Sequence, residues 1–351
     1  RPGLHRLAVS DDDSGVLQLF DRRTIGQIVL GFGIAGIVLY LLVDFVGTTA
    51  VLDRLAGTDL RWLAMGCLST LLCLTAWGKA WQIVLDVAGV EESFRRLVVT
   101  YYAATFANYV TPLGQAGGEP FIAYVLSRDT DASYEDALAS VVTADLLNLL
   151  PFVTFSGVGF AALLYQSTLP EVLEPLAIGL FGVALGVPVL AAVGWRYRLS
   201  LGRVVIRAAT PILRHTPRFT VEGLRGRLRE LNEAFQRIAQ DRTALVKAMT
   251  FSYVGWVFFA LPLYFVGLAI GDATIPLLLV FFIVPASTLG GMVPSPGGSG
   301  AVEAFLVVLI VALTPIADDG ATAISILYRV ASYFFALGIG GAAALYVVRR
   351  N

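Results

Sequence analysis

Thr111-Pro112-Leu113-Gly114-Gln115-Ala116-Gly117-Gly118-Glu119-Pro120-Phe121 sets a carboxylate among helix breakers, inside sequence otherwise apolar enough for a membrane. The stretch has an echo 184 positions further on, in Ser295-Pro296-Gly297-Gly298-Ser299-Gly300-Ala301-Val302-Glu303-Ala304-Phe305. Pro112, Gly114, Glu119 and Phe121 recur as Pro296, Gly298, Glu303 and Phe305, and Thr111, Gln115, Ala116 and Gly117 give way to residues of similar size or polarity. Glu119 and Glu303 are therefore the residues that call for an explanation.

The apolar arms around the first motif, residues 98–110 and 121–126, are short. A helix needs about 20 residues to cross a hydrocarbon core of about 30 Å, so neither arm crosses alone. One continuous span would place Pro112, Gly114, Gly117, Gly118, Glu119 and Pro120 at its centre. A re-entrant helix, loop, helix hairpin fits better, because irregular backbone at membrane depth survives only where protein or a water-filled cavity surrounds it. Arms at 275–292 and 301–314 flank the second motif and predict a second hairpin.

The whole composition agrees. Of 351 residues, 57% are hydrophobic and 15% charged, which predicts a polytopic helical membrane protein. A soluble fold would have to hide several such runs in one core, beyond the size at which domain cores stop growing. Cys67 and Cys73 fall in an apolar run without metal-ligand spacing and read as small core residues. Residues 1–23 are polar and contain Asp11-Asp12-Asp13, unlike a cleavable signal peptide, and the absence of an initiator Met reads as a processed chain.

Full spans are expected at 25–46, 62–87, 137–165, 176–195, 245–270 and 321–348. The hydrophilic segment 196–247 carries 12 of the 25 Lys and Arg residues against four acids. Within it Val221, Leu224, Leu228, Leu231, Phe235 and Ile238 step by three and four, the seam of an amphipathic helix lying on the bilayer or on its own membrane domain. With the N-terminus inside, six spans and two hairpins put this segment and Arg349-Arg350 in the cytoplasm, and leave Glu171, Glu174, Asp318 and Asp319 outside. The expected fold is thus all-α, with about six full spans plus two re-entrant hairpins in an inverted-topology repeat. Its expected divisions are a cytoplasmic segment 1–24, a first half 25–195 with hairpin 97–127, the basic segment 196–247, and a second half 248–351 with hairpin 275–315.

Ionisable groups at membrane depth cost about 2.5–3.5 kcal/mol each unless paired or hydrated. Glu119, Glu303, Arg329 and Asp145 are such groups, and Asn148 shares a helix face with Asp145. Pairing of Arg329 with one Glu would staple two helices and still leave one carboxylate over. Pro112, Gly114, Gly117 and Gly118 in one motif, and Pro294, Pro296, Gly297, Gly298 and Gly300 in the other, would expose backbone N–H groups and helix N-termini that favour anions. Lys79, between Trp77 and Trp81, reads as a snorkelling anchor in an aromatic belt or as a headgroup contact, and Asn108 joins the candidate contacts. His5 and His215 lie in hydrophilic segments, which removes a histidine-based or metal site from the membrane; two carboxylates acting as acid and base remain the enzyme alternative.

In Pro112–Glu119, Pro294–Glu303 and Arg329 the chain resembles the lysylphosphatidylglycerol synthase transmembrane-region family, also described as flippase-like integral membrane proteins; the likeness runs from residue 25 to 348. Members of that family are fused to an aminoacyl-transferase domain or to a glycosyltransferase acting on a polyprenyl phosphate, or stand alone. The segment 196–247 is too short for either domain, so a stand-alone form is expected. Lys79 with Trp81 looks like the family's basic-aromatic pattern. Where relatives often carry Glu-Arg just before an Asp, this chain keeps Asp145 but has Val141-Val142-Thr143-Ala144 ahead of it. The resemblance implies movement of an anionic lipid or polyprenyl-phosphate carrier between leaflets of the cytoplasmic membrane. Glu119 and Glu303 would gate, and Arg329 and Lys79 would contact the headgroup. The expected partners are membrane lipids and lipid-carrier biosynthetic enzymes, with no nucleic acid and no cofactor; proton or sodium coupling stays open. A coupled carrier of a small anion and a membrane-embedded lipid-modifying enzyme are the alternatives.

Overall fold

In the computed structural model the described residues are 43–90, 92–110, 132–166, 221–271, 274–293 and 295–350, with scattered positions between 30 and 41, 122 and 127, and 178 and 207. They are helical, joined by turns, and contain no strand. The elements are α1 (Thr48–Ala56), α2 (Leu60–Ala88), α3 (Phe94–Val110), α4 (Tyr134–Gln166), α5 (Val221–Gln240), α6 (Arg242–Ile270), α7 (Leu277–Ser287), α8 (Ala301–Leu313), α9 (Asp318–Arg329) and α10 (Phe335–Arg350). Among the described residues five stretches are long and apolar enough to cross a membrane: Leu60–Ala88, Tyr134–Ala161, Arg242–Ile270, Pro296–Leu313 and Asp318–Val347. About half or more of each expected span at 25–46 and 176–195, and the whole first motif, lies outside the described residues.

The central pair is α2 and α6, 29 residues each. Side chains of Asp59 and Asp241 cap them by accepting from Arg61 and Ala244 N–H groups, and left-handed Gly89 and Gly271 end them. They run antiparallel. Asp59 N–H donates to Ala269 O at one end, Ser69 Oγ donates to Phe258 O, and Ala80 and Val84 meet Ala248 at the other. Close approach rests on small residues: a Cβ on Gly66 would stand 3.7 Å from Pro262 Cα, and one on Gly255 only 2.3 Å from Trp77 Nε1.

α3 pairs with α10 in the same manner. A Cβ on Gly340 would sit 2.6 Å from Tyr102 O and 2.8 Å from Phe106 Cβ. Gly340→Ala is therefore expected to lower stability by about 1–3 kcal/mol, seen as a lower thermal-unfolding midpoint in detergent. Gly338→Ala, with nothing within 4 Å, should leave that midpoint in place, and equal effects would refute the packing.

Element boundaries repeat with the offset of the motifs. Shifted by 184 positions, Tyr134–Gln166 coincides with Asp318–Arg350, the full extent of α9, the turn after it and α10. Leu60–Ala88 falls within two residues of α6, and Phe94–Val110 within two residues of α7 with its 3-10 extension, which ends at Met292. Motif and helices therefore share one period.

Trp77 and Trp81 depart from the expected aromatic belt. Trp81 is buried edge-on to Tyr101, and Trp77 packs among Trp256 and Phe259, because small residues on α6 leave room for an indole between the helices. Cys73 is buried and Cys67 half-buried, both as free thiols, in keeping with small core residues.

Candidate functional site

The second motif is a break between two short helices. After α7 come a 3-10 turn, Thr288–Met292, and a second one, Pro296–Gly298, before α8 begins at Ala301. The stretch Pro296–Leu313 is long enough to span only by counting that turn, since α8 itself has 13 residues, about 20 Å of helix. Gly297, Gly298 and Gly300 stand at φ of 57°, 65° and 90°, a region that costs other L-residues about 1–2 kcal/mol. The start of α8 is packed against the first 3-10 turn: a Cβ on Gly290 would lie 2.7 Å from Val302 N.

Glu303 is the third residue of α8. Its Oε2 accepts the Gly300 N–H at 2.6 Å, reaching back over the first turn as a capping glutamate does, where the helix dipole favours negative charge. Its Oε1 accepts from Arg329 Nε at 2.8 Å. Arg329 Nη2 in turn donates to Gly297 O and Ser299 Oγ, each at 3.0 Å. The pair is buried, with Glu303 4% and Arg329 7% exposed. Ser325 Oγ adds a bond to Glu303 O, so α9 holds the turn through two side chains one turn apart.

Arg329 ends α9, and the next five residues, Val330–Phe334, form a π-helical turn. Such turns shift the side-chain register and recur at functional sites. Here it sets Tyr333 under the guanidinium, with Arg329 Cζ 4.1 Å from the ring centre. Tyr333 OH donates to Tyr109 O at 3.0 Å, and the two rings lie 5.0 Å apart. Tyr109 stands at the end of α3, two residues before the first motif. The chain entering the first motif thus lies against the turn of the second. Tyr333, Tyr109, Ser299 and Ser325 were not among the sequence candidates; the four-residue step from Arg329 to Tyr333 was the available signal.

The other candidates are placed as follows. Asn108 neighbours Tyr109, and its Oδ1 is buried without a hydrogen bond. Lys79 is not part of the Glu303–Arg329 cluster. Its Nζ donates to Gln82 Oε1 at 2.6 Å and lies over the Phe94 ring. It stands 13 residues beyond Gly66, which touches Ala331, about 20 Å along α2. Asp145 is exposed on α4, whereas Asn148 accepts from Ser252 Oγ and ties α4 to α6. Under the 184-residue offset Asp145 occupies the place of Arg329, so the two halves carry opposite charges at equivalent positions. Glu119, Pro112, Gly114, Gly117, Gly118 and Pro294 lie outside the described residues. Among those described, no group of His, Cys, Asp and Glu is arranged to hold a metal ion.

What this arrangement can do chemically is present a cation at membrane depth. Burying either charge alone costs several kcal/mol, and together they are neutral and hydrogen-bonded. Arg329 spends Nε and Nη2 on Glu303 and the turn, and among the described residues nothing accepts from its Nη1.

Known proteins are similar to this chain in sequence over most of its length. The lysylphosphatidylglycerol synthase TM region family matches residues 28–340. A UPF0104 membrane protein of Methanothermobacter thermautotrophicus is 28% identical over 353 residues, covering 96% of this chain and 98% of that protein. The UPF0104 membrane protein PH1989 of Pyrococcus horikoshii is 25% identical, covering 88% and 94%. Glycosyltransferase AglD of Haloferax volcanii is 25% identical over 86% of this chain but only 51% of its own length. Five apolar helices, relatives named as membrane proteins and a family match across most of its length lead to one conclusion: this chain is a multi-pass integral membrane protein that belongs to the lysylphosphatidylglycerol synthase TM region family.

Proposed function

We propose that the chain moves an anionic lipid, a phospholipid or a polyprenyl-phosphate-type carrier, between leaflets through a pocket where the two Pro/Gly/Glu segments meet. The observation that carries this reading is the buried Glu303–Arg329 pair on a broken helix. A lipid phosphate reaching the free edge of Arg329 competes with the Glu303 carboxylate for the same guanidinium, and the turn, held by that guanidinium, loosens as the phosphate binds. The short arms α7 and α8 and the shared 184-residue period support two re-entrant hairpins related by inverted symmetry, which is how discontinuous helices build midplane sites. The contact between Tyr109 and Tyr333 supports a meeting of the two motifs. The half-length match to a protein named as a glycosyltransferase is compatible with a sugar-bearing cargo. The basic segment 196–247 and Arg349-Arg350 support both termini inside at the cytoplasmic membrane.

The test is exchange of fluorescent phosphatidylglycerol and polyprenyl phosphate across proteoliposome leaflets. Loss of a charge-assisted hydrogen bond is worth about 1.5–3 kcal/mol. Glu303→Gln is therefore expected to slow exchange about 10- to 100-fold, and Glu119→Gln, which stands 184 positions before it in the matching motif, is expected to slow it as well. If unaltered protein exchanges no lipid with or without a proton or sodium gradient, yet takes up a small anion under one of them, a coupled solute carrier replaces this reading.

A further inference from the structure

A second feature lies away from the Glu303–Arg329 pair. A cavity of about 1110 Å³ opens between α5, the membrane helix α4 and Gly194, Trp195, Gly202, Arg203 and Ile206. One helix supplies two kinds of wall. Arg225, Arg229, Asn232 and Gln236 recur at steps of four, three and four, a single polar stripe of α5. Leu228, Leu231, Phe235 and Ile238 form the adjoining apolar stripe, whose inner end, Ile238 with Ala234, is buried against α2, α4 and α6. Arg203 faces the same space, so three guanidiniums meet one carboxylate, that of Glu233. Among the described residues no carboxylate pairs with Arg225 or Arg229, and Arg203 donates to Ser200 Oγ. The far wall is apolar and reaches the outer surface of the helical bundle. It holds Trp195, stacked edge-on with Phe235, and Leu146, which is 43% exposed on α4.

We propose that this cavity is a docking site for one anionic glycerophospholipid of the adjoining leaflet, its phosphate on Arg203, Arg225 and Arg229 and its acyl chains along Leu228, Trp195 and Leu146. Charge complementarity selects the headgroup: a cluster of arginines without enough carboxylates to neutralise it lies at the polar boundary of a membrane helix. The continuous apolar wall selects a chain-bearing molecule over a free phosphate, because only an amphiphile covers both stripes of α5 at once. The volume accommodates one lipid, slightly above the usual range for small-molecule pockets. The site does not depend on lipid translocation; it would be occupied whether or not the midplane pocket moves lipid.

Trp195 in the wall makes the site readable. The full chain in dodecylmaltoside micelles is titrated with phosphatidylglycerol brominated on its acyl chains and, separately, with brominated phosphatidylcholine; the Trp195 signal is the difference between unaltered protein and Trp195→Phe. Phosphatidylglycerol is expected to quench that signal at far lower mole fraction than phosphatidylcholine. The triple change Arg203→Gln, Arg225→Gln, Arg229→Gln should weaken the effect on the order of 100-fold. The corresponding triple lysine variant should retain most of it. A titration of unaltered protein at rising salt decides the matter even if the glutamine triple fails to fold, since quenching by phosphatidylglycerol that weakens with salt supports the site. Equal quenching by both lipids, or salt-independent quenching, means generic annular lipid and overturns the proposal. So does reversal of the quenching by millimolar inorganic phosphate, which would mark a free-anion site.

Discussion

Replacing Arg329 with Met is expected to lower stability by about 3–5 kcal/mol, the cost of leaving a buried carboxylate without its counter-charge. Glu303 is 4% exposed, and without the guanidinium its carboxylate keeps, among the described residues, only the Gly300 N–H as a partner. Loss of Arg329 also removes the donor that holds Gly297 O and Ser299 Oγ, which leaves the Ser325 bond to Glu303 O as the remaining side-chain tie to α9 among the described residues. Glu303→Gln alone strands the cation, which still has the Tyr333 ring and two oxygens of the turn, and should cost less. The double change, Glu303→Gln with Arg329→Met, removes both charges and is expected to be more stable than Arg329→Met by itself. A double-mutant cycle from unfolding midpoints in detergent measures this coupling. Additive single effects would mean that the pair is not the unit described here. Lipid exchange should be lost in both variants that lack Arg329, because recovery of stability does not restore a cation for a phosphate to bind.

Gly298→Ala is expected to be strongly damaging, because backbone strain and backbone clash add at one position. At φ 65° it imposes about 1–2 kcal/mol of left-handed backbone strain. Its Cβ would lie 2.6 Å from Gly291 Cα and 3.0 Å from Gly290 O, backbone atoms that cannot rotate away, which adds about 1–3 kcal/mol of overpacking. The two ends of the break must then part, carrying the N-terminus of α8 and Glu303 with them. Gly291→Ala, one step across the same contact, meets nothing within 4 Å and needs no positive φ. It should leave both the unfolding midpoint and lipid exchange unchanged. A parallel loss in both variants would show a general intolerance of side chains at the break rather than this geometry.

Much of the site was legible because charge and helix breakers are rare in apolar sequence and therefore conspicuous. Glu303, Arg329 and the Pro296–Gly300 turn were all visible in this way, and the structure brings them together. Lys79 was equally conspicuous, yet it is held by Gln82 and Phe94 far along α2, because a charge near a helix end finds a local partner. Trp77 and Trp81 look alike in sequence to belt residues; Gly255, on another helix 174 or more positions away, is what admits Trp77 to the interior. Tyr333 and Tyr109 carry no sequence signal of partnership, since tyrosines are common in such helices and the two are 224 residues apart.

Apolar runs, their lengths and the internal period of 184 are properties of the chain read in one dimension, and by themselves they determined a helical membrane protein built on a repeated plan. Hydrophobic transfer depends on composition over a window and not on which helix neighbours which, so these features survive without knowledge of packing. The choice of partners did not. Arg329 had two carboxylates to choose between in sequence, and its pairing with Glu303 was decided by the approach of α8 to α9 and by the three positive-φ glycines that aim the start of α8 at it. The π turn that swings Tyr333 beneath the guanidinium, and the basic cavity made where α5 leaves part of its polar stripe uncovered, likewise exist only once the helices are packed. Ion pairs and cavities depend on contacts of a few ångströms between distant segments, and those distances are set by tertiary structure alone.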